Sequence, residues 1–275
     1  MRDVRAEWRA EEAAKFLRQK LGITEANVPT IGIVLGTGWG NALSWDEVTH
    51  VSFEEIPGFD WLRPLAGHDR KLAFGKIGGR SVVALQGRVH LNEAPDDPSL
   101  ATKVRLQIEM LLRLGVHSLI LTAAVGSLTP DIGVGDVTIV DGFVTLFAPV
   151  MPLYAGEFVS PEDALDAGLQ QIAAAAVAKT IAPAKRGAYV MIRGPFFEGR
   201  KYDKAILADV GASVVGMSVL PEACVAALYP GTRVVVVAFT TNTAFETHSH
   251  ASNQAVAGAR AAALGACLKE LIAHA

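Results

Sequence analysis

The sequence predicts an α/β fold: a single domain over residues 1–275, with 1–28 as an N-terminal helix and lead-in, built on a mostly parallel mixed central sheet flanked by helices. Three observations lead there. Short apolar runs fit for strands buried on both faces, such as 30–35 and 117–122, alternate with stretches of helical periodicity. Composition stays even along the 275 residues and no linker-like stretch interrupts it, which favours one domain over two. With 51% apolar residues, 19% charged residues and 26 glycines, the chain can bury a substantial core and turn sharply at its junctions.

Residues 5–20 read as an amphipathic helix, and 30–35 as the first buried strand. The extended segments 71–77 and 81–85, joined by Gly78-Gly79, read as a hairpin. A helix over 101–114 is closed by Gly115, and strands follow at 117–122 and 137–140. Helix 161–179, strand 188–193, helix 199–209, strand 213–216, helix 220–228, strand 233–239 and helix 252–273 complete the alternation. The Ala-rich runs at 173–178 and 259–266 are good helix formers, not low-complexity tracts.

A net charge of −3, with Lys and Arg scattered among acids, gives no electrostatic footprint for nucleic acid. No apolar run approaches the roughly 20 residues that span a bilayer, and the charged start lacks the apolar stretch of a secretory signal. The two cysteines, Cys224 and Cys267, are too few for a disulfide framework and are not spaced as metal ligands. They read as core thiols in a reducing compartment, so the expected location is cytoplasmic, with no membrane and no polynucleotide partner.

Small, polar and basic residues gather where the predicted strands stop: Gly36-Thr37-Gly38, Gln86-Gly87-Arg88-Val89-His90, Thr122-Ala123-Ala124-Val125-Gly126, Gly216-Met217-Ser218 and Thr240-Thr241-Asn242. Ligands bind at strand ends in open α/β sheets, and hydroxyls, backbone amides, an Arg and a His together suit a phosphate. Gly36-Thr37-Gly38-Trp39-Gly40 has neither the spacing of a dinucleotide fingerprint nor the Gly-Lys-Ser/Thr of a P-loop, and alone it is an ordinary tight turn. Arg88 and His90 stand two apart on an extended segment and so face one side, and Glu93 is placed to orient the His90 imidazole. His68 lies in a predicted loop, where contact with water accounts for a histidine as well as a bound ligand does.

Taken together and in order from about residue 30, these stretches resemble the trimeric, low-molecular-mass purine nucleoside phosphorylases, in the same superfamily as methylthioadenosine phosphorylase. The family's Gly-Ser-Gly-Leu-Gly appears as Gly36-Thr37-Gly38-Trp39-Gly40, its Pro-Gly-Phe as Pro57-Gly58-Phe59 and its Gly-His loop as Gly67-His68. Its Gln-Gly-Arg-Phe-His-x-Tyr-Glu appears as Gln86-Gly87-Arg88-Val89-His90-Leu91-Asn92-Glu93. Residues 122–128 match Thr-Asn-Ala-Ala-Gly-Gly-Leu, residues 194–198 match Gly-Pro-x-Phe-Glu, Gly216-Met217-Ser218 with Pro221-Glu222 match Gly-Met-Ser-x-x-Pro-Glu, and Thr241-Asn242 supplies the Thr-Asn pair.

The resemblance implies a nucleoside phosphorylase-like fold and a pentosyltransferase of purine salvage. Phosphate would attack the anomeric carbon of a 6-oxopurine nucleoside to give free base and a (deoxy)ribose 1-phosphate, with no cofactor or metal beyond phosphate as co-substrate. By position, Thr37, His68, Arg88, His90, the Ala124 amide and Ser218 would hold phosphate. Phe197, Glu198 and Asn242 would bind the base, with His90, Asn242 and Glu198 carrying the catalysis. Met217, Asn92, Tyr154, His250 and Asn253 are the sugar candidates, Tyr154 reaching a neighbouring subunit in a homotrimer, and His248 is an alternative for the 5′ contact. The chain departs from the family pattern at Asn92, where a Tyr is usual, at Ala123 and Val125, and in a shorter loop after residue 143. Thr37 and residues 122–128 lean toward a methylthioadenosine phosphorylase, but such enzymes usually carry Asp at position 242 and no acid at 198, so Glu198 with Asn242 favours an oxopurine. A non-catalytic nucleoside- or phosphate-binding homologue is the third reading, opposed by the presence of both sets of residues.

Overall fold

The computed structural model describes residues 4–40, 42–60, 62, 69–93, 97, 99–148, 151–194, 196–199, 201–244 and 249–275. Its strands are β1 (Ile31–Leu35), β2 (Glu47–Ser52), β3 (Lys71–Ile77), β4 (Arg80–Gln86), β5 (Ser118–Ser127), β6 (Val137–Val144), β7 (Lys185–Met191), β8 (Ala212–Gly216) and β9 (Arg233–Thr243). Its helices are α1 (Val4–Leu21), α2 (Ser99–Leu114), α3 (Ala167–Thr180), α4 (Asp203–Asp209), α5 (Leu220–Ala227), α6 (His250–Ala259) and α7 (Ala261–His274).

The nine strands among the described residues form one mixed sheet in the order β2-β3-β4-β1-β5-β8-β7-β6-β9. β1 runs parallel to both β4 and β5, while β2, β3 and β4 form an antiparallel meander whose second turn is Gly78-Gly79. β9 returns to pair in parallel with β5, so β5, β8, β7, β6 and β9 close on themselves as a five-stranded ring. Closure removes both edges that these strands would otherwise expose.

The apolar strands are buried on both faces because helices cover both. Alternate residues separate as the period of two requires: Val34, Leu119, Leu121, Val234 and Val236 join a core with α1, α2 and α5, whereas Ile33, Ile120, Val235 and Val237 join one with α3 and α7. Cys224 and Cys267 are free and buried within these layers, and burial pushes both thiols up to about 11. Among the described residues, no helix is long and apolar enough to cross a membrane.

The structure departs from the sequence reading in particular places. β2 was not expected, because most of its residues are exposed and no apolar alternation marks it. The expected helix 161–179 is a 3-10 turn over Pro161–Ala164 followed by α3, whose first turn is capped by the Asp166 carboxylate accepting the Leu169 N–H at 2.7 Å. The expected helix 252–273 is two helices, broken at Arg260, and the helix expected from 199 starts at Asp203. Most consequential, 122–127 and 240–243 are not loops beyond strand ends but the last residues of β5 and β9, which pair along their whole lengths. Polar composition suggested loops there; partnered backbone in a buried ring keeps them extended.

The loop after β1 is fixed against α6. Gly38 has φ +81, and a Cβ there would lie 2.1 Å from the Ala257 Cβ. Replacing Gly38 with Ala is therefore expected to destabilise the fold by about 1–3 kcal/mol, read as a lowered midpoint in urea unfolding.

Candidate active site

One cleft of about 720 Å³, including its open mouth, lies where the ends of β1, β4, β5, β8 and β9 converge. Of the expected phosphate-holding residues, Thr37, Arg88, His90, Ala124 and Ser218 line it. So do Phe197, Glu198 and Asn242, and, from the sugar set, Met217 and Asn253. Arg88 and Glu198 thus face one shared space although 110 residues separate them in sequence.

The cationic end is held by a chain of contacts running through the sheet. The Thr122 hydroxyl donates to the Val34 carbonyl at 3.0 Å and accepts the Gly36 N–H at 2.9 Å, tying β5 to the loop after β1. Trp39, fully buried, donates its indole N–H to the Ala123 carbonyl at 3.3 Å, and Gln86 donates to the Gly40 carbonyl at 3.2 Å. The Arg88 guanidinium is 1% exposed and donates through Nη2 to the carbonyls of Thr122 at 2.6 Å and Val34 at 3.3 Å. Its Nε lies 3.2 Å from Glu222 Oε1, a buried ion pair in which the carboxylate also accepts from Gln107 at 3.3 Å. Gln107 in turn accepts the Val89 N–H at 3.0 Å, so α2 and α5 together set the loop that carries Arg88 and His90. Burial pushes the Glu222 carboxyl up, and the neighbouring guanidinium pulls it back toward the charged form.

Ser218 reaches the cleft through a strained backbone. Val219, β-branched and fully buried, adopts φ +58, a conformation that costs on the order of 1–3 kcal/mol and persists only where the surroundings dictate it. The Ser218 N–H donates to the Tyr189 hydroxyl at 3.0 Å, and burial pushes that phenol up to about 12, so it stays neutral.

At the other end, Asn242 stands opposite Gly126 in the β5–β9 ladder, next to a register shift between Val125 and Gly126. The Thr241 hydroxyl lies 3.2 Å from Asn242 Oδ1 and 3.3 Å from the Val125 carbonyl. That arrangement turns the amide Nδ2 toward Gly126, where a Cβ would come within 2.8 Å of it, so the close approach needs glycine. Glu198, 8% exposed, contributes a carboxylate whose Oε1 is 3.5 Å from Lys204 Nζ. A carboxylate and an oriented amide across from a cluster of hydroxyl, imidazole and guanidinium donors can bind a flat heterocycle and a tetrahedral oxyanion side by side.

Other expected residues lie elsewhere. Asn92 does not line the cleft; its amide accepts the Gly194 N–H at 3.1 Å and so joins the loop after β4 to the segment preceding Glu198. Glu93 does not orient the His90 imidazole as expected: its Oε1 accepts the His90 backbone N–H at 2.7 Å and its Oε2 pairs with Arg70 at 2.5 Å. A carboxylate three residues on closes a turn more readily than it reaches back to a side chain. Tyr154 sits under the Arg105 guanidinium at 4.2 Å, which also forms two hydrogen bonds with Glu157. His68 and His248 lie outside the described residues, and His250 opens α6 with its side chain outside that description. Among the described residues, no three His, Cys, Asp or Glu side chains gather as they would around a metal ion.

The positions that sequence reasoning missed are mostly supports. Tyr189 carries a weak signal, since a tyrosine in an otherwise apolar buried strand must find a partner for its hydroxyl. Gln107 and Lys204 carry none, because no periodicity or spacing marks their partners, Glu222 and Val89 for the one and Glu198 and Ala244 for the other.

The phosphorylase superfamily profile matches residues 30–273. Purine nucleoside phosphorylase of Mycobacterium tuberculosis is 32% identical over 272 residues, covering 96% of each chain. Purine nucleoside phosphorylase 1 of Bacillus subtilis is 30% identical over 245 residues, covering 86% of each. The crystal structure of Schistosoma mansoni purine nucleoside phosphorylase in complex with inosine superposes with a TM-score of 0.83 at 25% identity, covering 96% of this chain and 95% of that one.

Removing the charge of Glu222 leaves Arg88 buried without its counter-ion. Glu222→Gln is expected to lower stability by about 3 kcal/mol. Millimolar phosphate should raise the Tm of this variant more than that of the native chain, because the added anion restores the missing charge.

Proposed function

The chain belongs to the phosphorylase superfamily, and from that premise we propose that it cleaves purine nucleosides by phosphorolysis, with 6-oxopurines as preferred bases. The observation that carries this reading is the shared cleft, in which Arg88, His90, Thr37 and Ser218 face Glu198 and Asn242. Phosphate held at the cationic end forms a bond to the anomeric carbon as the bond to N9 breaks. The electron pair leaves with the purine, which takes up a proton to become the free base.

Each end contributes to that step. Arg88, locked by two carbonyls and Glu222, holds the nucleophile without reorganising. The phosphate dianion in turn stabilises the oxocarbenium character that develops on the sugar. Asn242 donates through Nδ2 to N7 of the departing purine, where negative charge accumulates. Glu198 accepts the N1–H that a 6-oxopurine presents and a 6-aminopurine lacks. Met217 packs against the pentose between the two ends, and Asn253, which lines the same cleft, is one of the candidates for the 5′ contact beside His248 and His250.

The working form is a homotrimer of one-domain chains in the cytoplasm, using phosphate as co-substrate and no metal or organic cofactor. Large apolar side chains left exposed on this chain support burial in an assembly, among them Phe158 at 92% and Leu146 at 77%.

The purified protein, given inosine, guanosine, adenosine and methylthioadenosine with and without phosphate, should form hypoxanthine and guanine together with a pentose 1-phosphate only when phosphate is present. Nucleoside binding with no turnover would leave a binding protein instead. A single well-aimed donor is worth about 3 kcal/mol in such a barrier, so Asn242→Ala should lower the rate on inosine on the order of a hundredfold or more.

A further inference from the structure

Lys204 belongs to none of the motifs and does not line the cleft, yet it is among the most buried charged residues of the chain, at 4% exposed. Its ammonium lies 3.5 Å from Glu198 Oε1 and donates to the Ala244 carbonyl at 3.4 Å, two residues beyond Asn242. The same helical turn grips the segment from the other side: Asp203 accepts the Gly199 N–H at 2.8 Å, and the Lys204 N–H donates to the Gly199 carbonyl at 3.3 Å. One side chain therefore joins the two segments that carry the acceptor and the donor facing the base.

We infer that Lys204 is a positioning residue that sets base recognition. It fixes Glu198 relative to Asn242 and engages Oε1, so that the other carboxylate oxygen is presented to the N1–H of an oxopurine. Buried charges persist when paired, and this ammonium, with three donors, is satisfied only while both segments stay in place. Among the described residues, nearby charges do not substitute for it: Asp203, which lines the adjoining hollow with Glu198, is an acid, Arg193 in the same hollow is exposed, and Lys201 is exposed with its ammonium over the Tyr202 ring. The inference rests on the phosphorolysis reading and extends it from the residues that touch substrate to one that acts through them.

The test is steady-state kinetics with calorimetry of guanine binding on the full chain. Lys204→Met should raise the KM for guanosine by about tenfold or more and weaken guanine binding by a similar factor, while the KM for phosphate stays within about twofold. Lys204→Arg should restore guanosine KM to within about threefold, and on a Glu198→Gln background the Met change should add less than about threefold. Should Lys204→Met not fold, Lys204→Gln, which keeps a donor for Ala244 but not the charge, should show the same selective rise. Unchanged guanosine KM and guanine affinity, an equal rise in the phosphate KM, or losses that multiply fully with Glu198→Gln would each overturn the inference. A native chain with no phosphate-dependent turnover would overturn the activity instead, and guanine affinity of the native and Met forms would still decide the role of Lys204.

Discussion

The parallel pairing of β5 with β9 is the constraint on which the rest depends. It closes five strands into a ring, and its register places Gly126 opposite Asn242 beside a local irregularity. Each of these strands brings a different part of the cleft: β5 carries Thr122 and Ala124 toward the cationic end, and β9 carries Asn242 toward the other. Because the ring has no free edge, the distance between the two ends is set by backbone hydrogen bonds and not by mobile loops. Side chains delivered by loops, such as Arg88 and Glu198, are then tied to that frame by specific contacts.

The buried Arg88–Glu222 pair belongs to this frame, and its value is orientation more than stability. Taking both charges out of water carries a desolvation cost that their attraction offsets only in good geometry. Here the guanidinium also spends donors on Thr122 and Val34, and the carboxylate on Gln107, so the pair is locked from three elements. The strained Val219 and the neutral Tyr189 serve Ser218 in the same manner. At the cationic end of the cleft the strained Val219 and the buried Arg88–Glu222 pair lie together, as strain and fixed charge do where a site is preorganised for charge.

Much of this was legible in the sequence. The alternation of apolar runs with helical periodicity gave the α/β class because both faces of the sheet are covered, and Arg88 with His90 stood out because two residues apart on extended chain face one way. What escaped reading escaped for physical reasons. β2 is an exposed edge strand with no apolar pattern, and the ends of β5 and β9 look like loops until the pairing that satisfies their backbone is known. The resemblance puts Asn92 at the sugar and the chemistry of a carboxylate puts Glu93 at the imidazole, yet both are used on backbone amides, of Gly194 and His90, which spacing alone does not reveal. Lys204 and Gln107 matter through partners 6 to 115 residues away, contacts that only the folded chain creates.

The central claim is that one cleft holds an inorganic oxyanion and a purine at the same time, in contact with opposite ends. A crystal structure of the protein grown with phosphate and hypoxanthine tests it most directly. The account predicts phosphate within hydrogen-bonding distance of the Arg88 guanidinium and hypoxanthine between Glu198 and Asn242 of the same chain. Phosphate bound outside the cleft, or hypoxanthine seated away from both Glu198 and Asn242, would contradict it.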